Sequence, residues 1–334
     1  MADAGPETPL LEVDDLRVEF RTASGRVRAL NGVSFTLSSG ETICLVGESG
    51  SGKSITGEAI MGIIDMPPGR ITGGAIRHRG RDLLRLSDAQ MNAIRGSAIA
   101  MVFQDALATL NPVLPVGAQI AEMFERHRRM NSADATEAAL KVMERVQIPA
   151  ARGRFFDYPH QFSGGMRQRI MIAMAVALEP ELLIADEPTT ALDVTVQAEI
   201  VQLLADLCAE RQMGLILVTH DLSVVANVAD TVAVMYAGRI VERAPVGPLF
   251  EAPRHPYTIG LMNSLPHGGP DDGDLPAIPG SPPDSRHLPA GCAFHPRCAF
   301  ARERCRAEVP ELRPAGEGRV AACHFFEEIA DGRS

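Results

Sequence analysis

The chain has 334 residues, 46% of them hydrophobic and 22% charged, with a formal net charge of −10. That length calls for more than one small core, the acidic balance offers no basic face for nucleic acid, and the longest unbroken apolar run, residues 170–178, is far too short for a membrane span. The opening residues 1–7 are polar and acidic and do not read as a secretory signal, so a soluble, cytosolic chain that could attach to a membrane protein is expected.

In chain order, residues 16–20 and 33–37 alternate apolar and polar around Gly25, which predicts a strand–turn–strand edge. Residues 43–46 are apolar and suit a buried strand. The next eight, Gly47, Glu48, Ser49, Gly50, Ser51, Gly52, Lys53 and Ser54, fit the phosphate-cradling pattern G-x-x-x-x-G-K-[ST] at every fixed position, and the residues after them can open a helix. Glycines let successive N–H groups turn inward at phosphate oxygens. The helix start adds the positive end of its dipole. Lys53 is expected to reach the β- and γ-phosphates and the Ser54 hydroxyl to ligate Mg²⁺.

Residues 66–69 (MPPG) break the chain, 76–79 predict a short strand, and 99–103 predict a buried strand ending at Gln104. From 116 to 146 the apolar spacing becomes helical. Ile120, Met123 and Phe124 share one face of a first helix, and Ala139, Val142, Met143 and Val146 one face of a second. A third helical run covers 165–178. A strand (182–185), a helix (194–211) and two more strands (215–218 and 231–236, with Gly238 suited to the following turn) complete an alternation that predicts a mostly parallel sheet covered on both faces. The helical stretch between Gln104 and Leu178 is expected to form a lobe inserted in this α/β core. After Pro248 the composition shifts, with nine prolines from Pro253 to Pro289 and Asp271, Asp272 and Asp274 among them, which marks a boundary or an extended appendage.

The strand at 182–185 delivers two adjacent carboxylates, Asp186 and Glu187, to its C-terminal end, where α/β sheets bind ligands. Asp186 is expected to hold Mg²⁺ through water and Glu187 to polarise an attacking water as general base. Further strings follow: Phe162, Ser163, Gly164, Gly165, Met166 and Gln168 in one run; Thr219, His220 and Asp221 after an apolar strand; Gln104 at a strand end; and Ala191, Leu192 and Asp193 just after the acidic pair. Respectively they resemble the signature, switch histidine, Q-loop and D-loop of ATP-binding-cassette (ABC) ATPases, and the chain order of phosphate loop, glutamine, signature, acidic pair, D-loop and histidine matches that family throughout. That resemblance implies a P-loop nucleotide-binding domain, with a RecA-like core, an antiparallel β subdomain and an inserted helical subdomain at about 105–178. It also implies two such domains paired head to tail, with ATP between the phosphate loop of one and Ser163, Gly164 and Gly165 of the other. His220 is then expected at the γ-phosphate, Gln104 near Mg²⁺ and water, Asp193 in the D-loop, and Phe20 stacked on adenine; a core or edge-strand phenylalanine is the alternative reading of Phe20.

Residues 8–262 resemble most closely the ATPases of bacterial dipeptide/oligopeptide importers, through Phe103-Gln104-Asp105, Leu110-Asn111-Pro112, residues 158–163 (YPHQFS) and His255-Pro256-Tyr257-Thr258. Ala106, Leu107 and Ala108 depart from the family's usual residues beside the Q-loop. Residues 278–283 and 288–292 are similar to the C-terminal extension of the same proteins. The implied division is an ATPase domain at 8–250 and an extension at 251–334. The extension holds Cys292, Cys298, Cys305 and Cys323, while Cys44 and Cys208 fall in a predicted strand and helix and read as core. Four clustered thiols suggest metal ligands rather than disulfides in the expected compartment. Their spacing lacks the paired knuckles of a zinc ribbon, and the resemblance favours a [4Fe–4S] cluster. Zinc, disulfides and free thiols stay open.

The implied role is hydrolysis of Mg·ATP to energise import of dipeptides or oligopeptides. The implied partners are a second ATPase subunit, by family practice a paralogue, two separate permeases and an extracytoplasmic binding protein, which places the chain on the cytoplasmic face of the membrane. Nickel, glutathione or another small solute is the alternative cargo. A soluble ABC ATPase acting on DNA or ribosomes is the remote alternative, disfavoured by the single cassette and the acidic balance.

Overall fold

The structure, a computed structural model, describes residues 8–23, 25–190, 192–264, 278–316 and 318–330. Residues 1–7, Ala191 of the D-loop string, and Asp271, Asp272 and Asp274 with their neighbouring prolines lie outside the described residues. Chain contacts define two compact units, one built from the N-terminal residues to Thr36, Ile43–Leu84 and the chain from Thr219 onward, the other from Leu37–Thr42 and Arg85–Val218.

In the first unit, strands Gly25–Leu37, Leu11–Thr22, Gly69–His78 and Arg81–Asp82 form a four-stranded sheet in that order. The alternation seen at 16–20 extends further than expected. Leu11 and Val13 are buried at odd positions, and Leu16 and Val18 at even ones. The phase change coincides with an irregularity in pairing between Asp14 and Arg17, where Asp15 adopts a positive φ of 45°. One extra residue at this bulge keeps both apolar pairs on the core face. The short strand expected at 76–79 is the end of a ten-residue one that pairs antiparallel with Leu11–Thr22.

The same unit holds Thr42–Val46 from Ile43 on, every residue buried, paired in parallel with Thr231–Tyr236. A hairpin then turns through Ala237 and Gly238, both at positive φ, into Arg239–Pro245, the left-handed pair that a tight hairpin needs. Strand Val320–Ala321 adds antiparallel to this hairpin through Glu242 and Arg243. The C-terminal segment is therefore joined to the hairpin by backbone pairing; the short apolar run at 320–323 contains the strand but does not say what it pairs with. Ala315, Ala321, Cys323, Phe326 and Ile329 form a small core there, with Ile259, Phe300 and Phe325 packed on it.

The second unit contains three parallel strands in the order Ile99–Val102, Leu182–Asp186, Gly214–Thr219, the last within this unit to Val218. Their residues are buried throughout, as a sheet covered on both faces requires. Helices Val116–Arg128, Ser132–Arg145 and Gly164–Val176 pack on one another. Ile120 and Phe124, and Ala139, Met143 and Val146, are buried on the faces expected, with Met123 and Val142 half-buried at the margins. Asn131 caps the second of these helices by accepting from Asp134 N–H at 3.0 Å. Helix Val194–Arg211 and strands Leu182–Asp186 and Thr231–Tyr236 lie where the periodicity placed them. Among the described residues no helix is long and apolar enough to cross a membrane.

Candidate nucleotide site

The phosphate motif forms the loop between buried strand Thr42–Val46 and helix Lys53–Met61. Two of its glycines are sterically required. Gly47 has φ 155°, and a Cβ there would sit 2.3 Å from Met235 O. Gly52 has φ 105° and would bring a Cβ within 2.9 Å of Ala29 O. Gly52 also stands at the N-cap, where it brings no side chain to occupy the first N–H groups of the helix; these are the groups an anion would use. Lys53 is buried, and its Nζ donates to Gly47 O at 2.7 Å and Glu48 O at 3.1 Å. Neutral carbonyls thus hold the ammonium at the loop. Ser51 O accepts from Gly238 N–H at 2.9 Å, which ties the loop to the hairpin turn. Ser54 lies in the first turn of the helix, half-buried.

Glu48 is held by residues that no motif marked. Arg297 pairs with its carboxylate, and the Tyr257 hydroxyl accepts from its N–H at 2.8 Å. The His255–Thr258 string explains how Tyr257 arrives there. Buried Glu242 accepts from the N–H groups of Arg254 and His255 at 2.7 and 2.8 Å, and His255 Nδ1 accepts from Tyr257 N–H at 3.0 Å, capping helix Pro256–Asn263. Burial drives the His255 imidazole down to about 3, so it stays a neutral acceptor. A carboxylate inside an anion-binding loop was the available signal that a counter-ion must exist; nothing local pointed to residue 297.

Also in this unit, His220 is exposed and follows buried Thr219. Asp221 caps the next helix by accepting from Ser223 N–H at 2.9 Å. Phe20 is half-buried at the end of its strand, opposite Gly69, where an added Cβ would come 3.0 Å from its ring.

In the second unit, Asp186 is buried at the end of its strand and Glu187 follows at φ 43°. For a non-glycine residue that conformation costs on the order of 1–3 kcal/mol. Glu187 N–H donates to Val218 O at 3.0 Å. Its Oε2 accepts from Gln104 Nε2 and from Thr190 Oγ1, both at 3.1 Å. The fold thus brings together Gln104 and Glu187, 83 residues apart in sequence. Thr190 had not been singled out. Ser163, Gly164 and Gly165 open helix Gly164–Val176, with Ser163 Oγ accepting from Met166 N–H at 3.4 Å. Ser163 and Gly164 are exposed. At Gly165 a Cβ would lie 2.7 Å from Val196 Cγ1, so the glycine also serves packing. Asp193 caps helix Val194–Arg211 by accepting from Val196 N–H at 3.0 Å.

Cys292, Cys298, Cys305 and Cys323 line one cavity with Phe294, Phe300 and Phe325 and with His255, His295 and His324, and none is in a disulfide. Burial pushes the Cys298 thiol up to about 11 and Cys323 up to about 12. Among the described residues no three His, Cys, Asp or Glu side chains are gathered as a metal ion needs. The thiols share a cavity, but their arrangement gives the expected metal centre no support.

The phosphate loop on its buried strand, with the strand-end carboxylates and the signature helix, defines an ABC nucleotide-binding domain. A dimeric ATP-binding cassette solved in a post-hydrolysis state with ADP and phosphate matches with a TM-score of 0.63 at 26% identity, over 71% of this chain and 98% of that one. The "ABC transporter" family model matches residues 30–190, and that of the "Oligopeptide/dipeptide transporter, C-terminal region" matches 241–305. The oligopeptide transport ATP-binding protein OppD of Salmonella typhimurium is 49% identical over 95% of this chain and 94% of its own length. OppD of Bacillus subtilis is 52% identical over 88% and 82%. The chain belongs to the family of ABC transporter ATP-binding proteins that these relatives represent.

Proposed function

We propose that this protein hydrolyses Mg·ATP to energise import of dipeptides or oligopeptides through separate permease subunits at the cytoplasmic face of a membrane. The ATPase reading is carried by Glu187, fixed by Gln104 and Thr190 at the end of a buried strand, in a chain whose phosphate motif is intact. The peptide reading is supported by the relatives' names and by the family of the C-terminal segment. ATPase domain and extension divide at about residue 250 in this reading.

Each residue then has a role. Backbone N–H groups of Gly47 to Gly52, with Glu48, Ser49, Gly50 and Ser51 between them, cradle phosphates, and Lys53 adds a positive charge. Ser54, Gln104 and Asp186 would hold Mg²⁺, which would neutralise phosphate charge when bound. Glu187 takes a proton from the attacking water, and Gln104 and Thr190 hold its carboxylate in place. His220 contacts the γ-phosphate, Phe20 the adenine, and Asp193 supports the D-loop. Ser163, Gly164 and Gly165 serve the nucleotide of a second ATPase subunit, a paralogue in this reading. The exposed apolar side chains Phe103, Leu107, Leu114 and Phe156 suit contact with the permeases.

For the thiol cavity, the donor chemistry fits a [4Fe–4S] cluster: four thiols, none in a disulfide, in one cavity. Cys292, Cys298, Cys305 and Cys323 would hold it, and the bound cluster would tie the segment together. Anaerobic purification with iron, sulfide and zinc analysis tests this; folded, metal-free protein rules it out. ATP-dependent peptide uptake into proteoliposomes, reconstituted with the adjacent permeases and binding protein, tests the function, and uptake of another solute instead would overturn the peptide assignment.

A further inference from the structure

The phosphate loop carries a carboxylate, Glu48, and the C-terminal segment supplies its counter-ion. Arg297 Nη1 and Nη2 donate to Glu48 Oε2 and Oε1 at 2.7 and 2.9 Å, a bidentate pair whose side chains are 5% and 25% exposed. The rest of the guanidinium is also engaged. Nε donates to Pro279 O at 2.8 Å, Nη1 to Tyr236 Oη at 3.3 Å, and Nη2 to Ile278 O at 3.5 Å. A guanidinium anchored on so many sides cannot swing away without leaving donors unmet. A second tie runs through the backbone: Glu48 N–H donates to Tyr257 Oη. Tyr257 is fully buried, its ring 4.6 Å from Tyr236 and 5.4 Å from Phe294.

A nest of N–H groups binds an anion only if the amides point inward and no like charge competes. An unpaired carboxylate in this loop would repel a triphosphate. Arg297 cancels that charge, and Tyr257 fixes the peptide at which the loop leaves its strand. We propose that Arg297, with Tyr257, is a positioning residue for nucleotide: it neutralises Glu48 and pins the start of the phosphate loop, so ATP affinity depends on the C-terminal segment. This rests on the ATP-binding reading above.

Equilibrium binding of a fluorescent ATP analogue with Mg²⁺ to the full-length chain tests it. Arg297→Met should weaken binding roughly 10- to 100-fold, with the larger loss at low ionic strength, where charges are least screened. Adding Glu48→Gln to Arg297→Met should recover most of the affinity, because the uncompensated carboxylate is gone. A merely structural Arg297 would show no such recovery. Wild-type-like affinity in Arg297→Met, or no recovery in the double variant, overturns the proposal. If Arg297→Met does not fold by circular dichroism, Arg297→Lys and Tyr257→Phe decide, each expected to bind several-fold more weakly while melting as a folded protein; wild-type binding by both overturns it. Failure of the wild-type chain to bind the analogue is a separate result, which removes the ATP-binding reading and this inference with it.

Discussion

Glu187 combines a strained backbone with a carboxylate held by two donors. Strain of this kind persists where neighbours over-determine it, here through Val218, Gln104 and Thr190. Glu187→Gln keeps the shape and removes the base, so steady-state ATP turnover with partner subunits present should fall by about 10²–10⁴-fold, while binding of the nucleotide persists. Near-normal turnover would take Glu187 out of the role. Lys53→Ala removes a buried ammonium that two loop carbonyls hold; both nucleotide binding and turnover should be lost, as read by analogue titration and phosphate release. These residues were legible in sequence because each motif fixes residue type and spacing within a few positions. Tyr257 and Arg297 were not, because Glu48 lies more than 200 residues from either and only folding closes that distance; Thr190 is three residues from Glu187 but no motif marks it.

Helix Val116–Arg128 shows what periodicity leaves out. Its apolar face was readable, but Gly117 gave no sign of purpose. A Cβ there would fall 2.3–2.6 Å from three atoms of the Phe155 ring. Gly117→Ala gains at most about 1 kcal/mol of helix propensity, whereas overpacking costs about 1–3 kcal/mol, so the variant should unfold at a lower urea concentration than wild type. Cys44 and Cys208 are fixed at the element level too, in a buried strand and on the buried face of a helix. Burial raises both thiols, Cys208 to about 12, so neither carries appreciable thiolate at neutral pH. Mass spectrometry after brief iodoacetamide treatment should find both unmodified in native protein and modified once it is denatured.

At the scale of the molecule, the C-terminal segment is more than an appendage to its unit. It adds strand Val320–Ala321 to the hairpin and places Tyr257 and Arg297 on the phosphate loop. Removing residues 312–334 uncovers the edge of Arg239–Pro245, and exposed edges pair with other chains. Light scattering should therefore report association or loss of soluble protein in the truncated chain.

The sequence alone determined the strands and helices with strong periodicity, the phosphate loop and the order of the motifs, because those depend on local spacing and on residue chemistry. Tertiary structure alone decided what neutralises Glu48, that Gln104 reaches Glu187 and where Val320–Ala321 pairs. Each is a contact between residues distant in the chain, and no local pattern encodes which distant side chain will arrive.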